Sequence, residues 1–237
     1  MKTKGRQYEI DIADFCNGST QTASQDVLSA YTNILSKFGS VDGIKHSSKE
    51  SWKGTGVREP KADLLFENKL DGISVKKEGP VQLASGGINY TLSCFKECYE
   101  EIKDRLSPDD AKLVLRLINC FEEFDNNKMS IDEWSSWKQT VGNNINALMN
   151  EVWLKVPLFR ETMIDEVLSG RRFYRDTPKA IAKHILTPNK IYEIDKKYVQ
   201  NISSCVKIRI AAKGRSKKVN GVKQRYREAV VRFDYKT

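Results

Sequence analysis

Two short apolar runs joined by a turn constrain the fold of this chain more than any other feature. The first run covers residues 62–66 (ADLLF), and the second covers residues 72–76 (GISVK), with Asp71 directly before it. Short runs rich in apolar and β-branched residues, with an Asp-Gly pair between them, are typical of a β-hairpin. In an antiparallel hairpin the start of the first strand lies beside the end of the second. The pattern therefore predicts that Asp63 and Lys76 project at one edge of a small sheet.

A carboxylate and an ammonium group at such an edge suit phosphodiester hydrolysis. That reaction needs a hard cation, an activated water and neutralisation of the charge that grows on the phosphate. Mg²⁺ prefers oxygen ligands and keeps several waters, so one or two protein carboxylates suffice. Asp63 is the candidate carboxylate ligand, and the backbone carbonyl of Val75 is a second candidate ligand. Lys76 offers a compact positive charge for the attacking water or the phosphate.

The positive charge of the chain is concentrated at its C-terminus. Residues 206–237 contain eleven Lys or Arg and two acidic residues, whereas the other 205 residues hold 29 of each sign. All of the net charge of +9 therefore lies in the last 32 residues. This favours a polyanionic partner, most simply nucleic acid, over a merely solvated tail. The candidate contacts to nucleic acid in this segment are Lys213, Arg215, Lys217, Lys218, Lys223 and Arg225.

Alternating residues on both sides of this charge predict a long β-hairpin. Residues 206–210 and 228–233 alternate in the manner of strands, and they bracket a loop, 213–221, that ends in the turn pair Asn220-Gly221. We expect the hairpin to be ordered at its base and mobile at its tip.

Three further residues are candidate contacts to nucleic acid. Arg171 and Arg172 belong to a run that interleaves basic and aromatic side chains. A surface strand with snorkelling side chains is the alternative interpretation of that run. Gln82 follows Lys76 by six residues and could reach the phosphate.

The order of the predicted elements favours an α+β fold with a central mixed β-sheet flanked by helices. Helices are expected over residues 6–15 and 23–37, a polar loop over 40–60, and then the hairpin. A helical insertion follows, with helices over 90–106, 108–124, 131–156 and 158–168, and strands return over 180–186 and 190–194. We expect a single domain over 1–237, with the start of the core in 1–88, the helical block in 89–170, and the C-terminal strands and basic hairpin in 171–237.

Composition sets further limits. The apolar fraction is 39% and the charged fraction 30%, as in ordinary globular proteins. No apolar stretch approaches the roughly 20 residues of a membrane span, and no apolar segment follows the basic N-terminus. We therefore expect a cytoplasmic protein with no membrane partner, whose five cysteines are reduced thiols. His46 and His184 have no nucleophile or carboxylate partner in a recognisable spacing, so neither predicts a catalytic triad.

Residues 60–63 (PKAD) and 73–76 (ISVK) resemble the PD-(D/E)XK nuclease motif, in which an aspartate on one strand precedes a carboxylate-x-lysine on the next. Residues 5–15 are similar to the first helix of these nucleases, whose glutamate often points into the metal site. The basic C-terminal strands resemble the end of compact Type II restriction endonucleases that cut short palindromes. By position, the resemblance implies that Asp63 is the central metal ligand, Lys76 the catalytic lysine and Glu9 the accessory carboxylate.

The same resemblance implies a single restriction-endonuclease-like domain, Mg²⁺ as cofactor, double-stranded DNA as substrate and products with a 5′-phosphate. It also implies a role in restriction-modification. One residue departs from the motif: Ser74 occupies the catalytic position where the motif has an acid. Glu9, Glu59 or Glu67 would have to supply the missing carboxylate.

The sequence leaves several alternatives open. Monomer and homodimer are both compatible with it, and so are DNA and RNA. A non-catalytic nucleic-acid-binding protein is the second function, with the hairpin of residues 62–76 as scaffold only. An assembly protein whose basic end neutralises packaged nucleic acid is the third.

Overall fold

The computed structural model describes residues 4–19, 22–53, 60–68, 71–76, 82–124, 129–220 and 222–235. The chain divides into two units. Unit 1 comprises residues 1–81 and 165–201, and unit 2 comprises residues 82–164 and 202–237. The single nuclease-like domain expected over 1–237 stays a prediction.

The helices and strands are distributed over both units. Unit 1 begins with α1 (Lys4–Cys16), α2 (Gln25–Phe38), β1 (Ile44–His46), β2 (Leu64–Phe66) and β3 (Gly72–Val75). Unit 2 continues with β4 (Gln82–Gly87), α3 (Ile88–Ile102), α4 (Pro108–Glu122), α5 (Ile131–Trp137) and α6 (Asn143–Lys155). Helix α7 (Pro157–Ser169) contains the unit boundary, and β5 (Ala182–Leu186), β6 (Ile191–Glu193), α8 (Lys196–Ser203), β7 (Val206–Val219) and β8 (Val222–Tyr235) follow it along the chain.

Unit 1 is built on a mixed sheet with the strand order β1-β2-β3-β5-β6. Strand β3 pairs in parallel with β5, and the other neighbours pair antiparallel. The central strands β2 and β3 are buried along their whole length, as strands with both faces covered must be. Apolar residues of α1 and α2 pack with those of β1, β2 and β3 in one core. The expectation of an α+β fold with a mixed sheet is confirmed, whereas its restriction-endonuclease-like type stays a prediction.

Local signals account for the helices at the start of the chain. The backbone N–H of Val27 donates to the Ser24 side chain at the start of α2, and the helix ends at Gly39 in the left-handed conformation, with a φ of 74°. The helices predicted over 6–15 and 23–37 are confirmed by α1 and α2.

The polar segment 40–60 is not a loop throughout, as the sequence predicted. It contains β1 and, directly after it, one turn of 3₁₀ helix over Ser47–Lys49. Strand β1 has three residues, and it forms because each of them pairs with a residue of β2. So short a strand, stabilised by pairing rather than by its own pattern, leaves little periodicity in the sequence.

Unit 2 contains the predicted helical block and a second sheet with the order β4-β8-β7. The predicted helix over 131–156 is divided in the structure, because a π-helical turn over Lys138–Gly142 separates α5 from α6. Helix α6 covers the outer edge of β7. Trp153 donates from its indole to the carbonyl of Val206 at 2.8 Å, and the Asn146 side chain accepts the N–H of Ile210 at 2.7 Å. These bonds occupy backbone groups that an uncovered edge strand would expose.

The predicted C-terminal hairpin is confirmed, but its loop is shorter than expected. Strands β7 and β8 have 14 residues each and stay in register up to the pair Val219 and Val222. Residues 213–219, expected as a loop, are therefore strand. Asn220 follows β7 with a φ of 49°, and the other residue of the predicted turn pair, Gly221, lies outside the described residues. The mobility expected at the tip stays a prediction.

Two further expectations concern the membrane and the cysteines. Within the described ranges, no helix has both the length and the apolar character required to cross a bilayer. All five cysteines are free thiols, as expected, and burial raises the pKa of Cys16 to about 12.

The unit 1 sheet is closely packed around Gly72, so a substitution there tests that packing. A Cβ at this position would lie 2.2 Å from the backbone oxygen of Ile181 and 2.6 Å from the Ala62 Cβ. Because a backbone atom cannot move aside as a side-chain end can, we expect Gly72→Ala to destabilise the protein by about 1–3 kcal/mol in urea unfolding. Gly5→Ala is the matched control, since its Cβ would meet nothing within 4 Å. Equal stability of the two variants would contradict this packing.

Candidate functional site

Asp63 and Lys76 lie at the same end of the pair β2 and β3 in the unit 1 sheet, because Asp63 directly precedes β2 and Lys76 directly follows its antiparallel neighbour β3. The backbone N–H of Asp63 donates to the carbonyl of Ile73 at 2.9 Å, and the N–H of Lys76 donates to the carbonyl of Leu186 on β5 at 2.8 Å. The structure therefore brings together the two residues on which the nuclease prediction depends. Ser74 and Val75, the other predicted residues of this hairpin, lie on β3 beside them.

The side chain of Asp63 fills the space where β2 and β3 separate, which we call the β2–β3 fork (residues 63, 74 and 75). Its Oδ2 accepts the backbone N–H of Val75 at 2.7 Å and the hydroxyl of Ser74 at 3.1 Å. Because Lys76 bonds toward β5, strand alternation directs the N–H and C=O of Val75 toward the opposite side, into the fork. The carboxylate thus takes the place of a backbone partner on β2.

Burial is the main influence on the Asp63 carboxylate. It raises the pKa of Asp63 above the ordinary value, because a partly buried site disfavours the charged form. The positive charge of Lys76 lowers this pKa, and the negative charge of Glu9 raises it. Smaller lowering effects come from the hydrogen bonds of Val75 and Ser74. Both predicted partners, Lys76 and Glu9, therefore act electrostatically on Asp63.

Glu9 lies on the side of α1 that packs against the sheet. Ala13 and Cys16, four and seven residues further along the helix, are buried on the same side. The Glu9 side chain is only 20% exposed, which differs from the solvated position that a glutamate usually takes. The position of Glu9 in this apolar stripe is the sequence signal for its partial burial.

His46 is the site residue that sequence reasoning missed. Its Nε2 lies 3.1 Å from the Glu9 carboxylate, although 37 residues separate the two in the chain. The backbone N–H of Ser48 donates to His46 Nδ1 at 3.1 Å, so Nδ1 is an acceptor and Nε2 carries the proton that reaches Glu9. The sequence spacing gave no sign of this pair, because the pairing depends on β1, which the sequence did not predict.

The other two carboxylates considered in place of an acid at Ser74 differ from Glu9. Glu67 follows the far end of β2 and lies 4.0 Å from Lys45, so the length of the strand separates it from Asp63. Glu59 lies outside the described residues. In the described part of the chain, no group of three or more His, Cys, Asp or Glu side chains is arranged to hold a metal ion. A metal site here would depend on the carboxylates of Asp63 and Glu9 with backbone and water oxygens.

The predicted nucleic-acid contacts near the end of α7 make bonds within unit 1. Arg172 is 2.7 Å from Asp165 and 3.6 Å from the buried Glu166, and its side chain is largely buried. Arg171 is 3.2 Å from Asp165 and also donates to the carbonyl of Ile194. These bonds show that both arginines help to fix the turn after α7.

The remaining predicted contacts belong to unit 2. Gln82 is the first residue of β4, and its side chain lies outside the described part of the structure. The basic residues of the hairpin lie on what we call the basic ribbon, residues 213–219 and 222–227. Of these, Lys213, Arg215, Lys223 and Arg225 are exposed, and Arg215 also pairs with Glu228 at 2.9 Å. Lys217 and Lys218 lie on β7, but their side chains are not among those described.

Comparison with protein-family models, with curated proteins and with solved structures gives no significant match. The geometry of the site and the chemistry of its residues therefore carry the functional argument.

The raised pKa of Asp63 predicts a pH-dependent cost to stability. A raised folded-state pKa means that stability is fully present below the unfolded value, near 3.8, and is lost as the pH rises through the folded pKa. In EDTA, we expect the stability advantage of Asp63→Asn over the wild type to grow across that range, by about 1.4 kcal/mol for each pKa unit. Urea unfolding between pH 4 and 8 measures it.

Asp42→Asn is the control for this experiment, since Asp42 is an exposed aspartate of the same unit. A stability difference between Asp63→Asn and this control that does not change with pH would show that the carboxylate is not buried as described.

Proposed function

We propose that the protein is a Mg²⁺-dependent DNA endonuclease of the PD-(D/E)XK superfamily, of the restriction type, with its active site at the β2–β3 fork. The observation that carries the proposal is the state of Asp63. Its carboxylate is partly buried between two strands, and the charges of both Lys76 and Glu9 act on it. A perturbed carboxylate with specific charged partners is typical of active sites.

The residues at the fork fit a magnesium ion. Asp63 and Glu9 offer carboxylate oxygens, and the fork directs the carbonyl of Val75 to the same place. This all-oxygen set, with only two carboxylates, suits Mg²⁺, which keeps several of its waters, better than metals that favour nitrogen or sulfur. A bound Mg²⁺ would supply polarisation of the phosphate and an acidified water for the attack.

The protein residues have distinct roles in this proposal. Lys76 places a compact positive charge beside Asp63, where it orients the attacking water in line with the scissile bond and offsets charge on the phosphate. Val75 and Ser74 fix the orientation of the Asp63 carboxylate through their bonds to Oδ2. His46 does the same for Glu9. These bonds restrain both carboxylates before any ligand arrives.

A non-catalytic nucleic-acid-binding protein is the second candidate. Two observations favour it: a hydroxyl at Ser74 replaces the acid of the motif, and no cluster of three metal-ligating side chains is found among the described residues. In that case the basic ribbon alone would carry the function, and the β2–β3 fork would be structural.

Cleavage of a mixed panel of unmodified plasmid and linear duplex DNA tests the proposal. We expect the wild type to cut with Mg²⁺ and not with EDTA, leaving 5′-phosphate ends that ligate directly. Asp63→Ala and Lys76→Gln should each lower the rate by at least about 100-fold, because each removes charge at the reacting centre. Gel analysis of timed digests gives the rates.

Asp42→Ala and Lys37→Gln are matched controls of the same charge type in unit 1. Both residues have exposed side chains and lie outside the proposed site. They should cut at the wild-type rate. Failure of the wild type to cut any duplex, or full activity of Asp63→Ala, would reject the endonuclease and leave the binding protein.

Glu9 gives a separate prediction about the metal. Replacing its carboxylate by an amide in Glu9→Gln removes one of the two charged ligands, so we expect half-maximal cleavage to need a higher Mg²⁺ concentration. The rate at saturating Mg²⁺ should fall less than in Asp63→Ala. A Mg²⁺ titration of the cleavage rate measures this, and an unchanged titration would show that Glu9 does not bind the ion.

A further inference from the structure

The basic ribbon extends beyond the part of its sheet that is supported by a third strand. Strand β4 pairs with β8 only as far as Gly87 and Val230, and Met129 bridges to Arg227. Further out, over residues 215–219 and 222–226, β7 and β8 pair with each other and with no other described strand. Five residues of strand span roughly 17 Å, so the unsupported part is a narrow two-stranded projection.

Both faces of this projection carry positive charge. Residues paired across an antiparallel ladder share a face, and successive residues alternate between faces. Lys223 and Arg225 therefore lie on one face, with Arg227 just before the projection on the same face. Arg215 lies on the other face, with Lys213 and Glu228 just before the projection, so the two cations there outnumber the one acid, which bonds to Arg215. A ribbon lying flat on a polyanion would need cations on one face only. Cations on both faces suit an element with phosphates on each side of it.

The first of these faces borders an open cavity of about 330 Å³. Its lining contains Lys223, Arg225 and Arg227 of this face, together with Arg215 from the other face, and, among the described residues, no carboxylate. Gly214 lies opposite Arg227 in the ladder, and a Cβ there would come within 3.3 Å of the Arg227 guanidinium. The absence of a side chain at Gly214 thus leaves room for that guanidinium beside the cavity.

We infer that the basic ribbon enters the major groove of duplex DNA. Two strands about 4.8 Å apart fit a major groove about 12 Å wide, whereas the minor groove, about 6 Å wide, is too narrow for a ribbon with its side chains. Arg225 and Arg227 are the candidates for guanine edges, because guanidinium groups pair with O6 and N7 in this groove. Lys213 and Lys223 meet phosphates. The inference rests on the proposed function for the identity of the polyanion.

Dimethyl sulfate footprinting distinguishes the grooves, since it methylates guanine N7 in the major groove and adenine N3 in the minor groove. Full-length Asp63→Ala protein, whose cutting is expected to be at least about 100-fold slower, is bound to a 30-base-pair DNA duplex with Mg²⁺. We expect protection of guanine N7 and not of adenine N3. Adding Lys223→Gln and Arg225→Gln should abolish the N7 protection and reduce the slope of log affinity against log salt by about 1, because only Lys223 of the two is assigned to a phosphate.

Two control proteins keep the test specific. Lys112→Gln with Arg116→Gln removes the same charges from the exposed side of α4 and should keep both protection and slope. Lys223→Arg with Arg225→Lys keeps the charge of the ribbon and should keep the slope. Protection of adenine N3 alone, N7 protection that survives Lys223→Gln with Arg225→Gln, or stronger ribbon-dependent binding to phosphatidylserine vesicles than to DNA would overturn the inference.

If the proposed nuclease function is wrong, the experiments give a different set of results from those expected if the ribbon's role is wrong. Wild-type protein that cuts no DNA while the footprint behaves as expected would reject the proposed function and keep the ribbon's role. Cutting that is unaffected by loss of the ribbon charges, with no N7 protection, would reject the ribbon's role and keep the nuclease.

Discussion

The arrangement of unit 1 depends on Asp63, which is bonded to the chain on both of its sides. Its carbonyl accepts the N–H of Ser47 just after β1, and its own N–H donates to Ile73 on β3. Its carboxylate then accepts the N–H of Val75, two residues further along β3. Through these three hydrogen bonds, Asp63 continues the pairing of β2 with β1 and with β3 beyond the first residue of β2. The backbone that precedes β2 and the side chain that would bind a cation are fixed by the same set of bonds.

Keeping the Asp63 carboxylate between the strands costs folding free energy. The proposed role of this carboxylate in binding a cation accounts for that cost better than a role in stabilising the fold does. A carboxylate that loses solvent is unfavourable unless hydrogen bonds and an opposite charge compensate. Val75, Ser74 and Lys76 compensate in part, yet the pKa of Asp63 remains raised, because burial outweighs them and Glu9 adds a second negative charge. A cation in the fork would remove that excess. Residues that oppose stability in this way are expected where a ligand binds.

The sequence predicts the parts of this structure that have a strong local signal. The hairpin around Asp71, the first two helices and the long basic hairpin each have a periodic pattern with an end signal. Strand β1 lacks one, since its three residues are held by pairing with β2. The partnership of His46 with Glu9 was missed for the same reason. Residues 213–219 form a strand and not the predicted loop. Their charges hide the alternation in the sequence, whereas backbone pairing requires no apolar side chains.

Ser74 departs from the sequence motif, and its contacts in the structure show what its hydroxyl does at this position. The side chain is buried on β3 and donates to Asp63, so its hydroxyl stabilises the charged form that a metal requires. A carboxylate at this position would instead add a like charge within hydrogen-bond distance of Asp63. The chain has its second carboxylate on α1, at Glu9, where His46 donates to it. A serine at position 74 is therefore compatible with the proposed two-carboxylate site, because in that site the second negative charge would come from Glu9 on the helix rather than from the neighbouring residue on the strand.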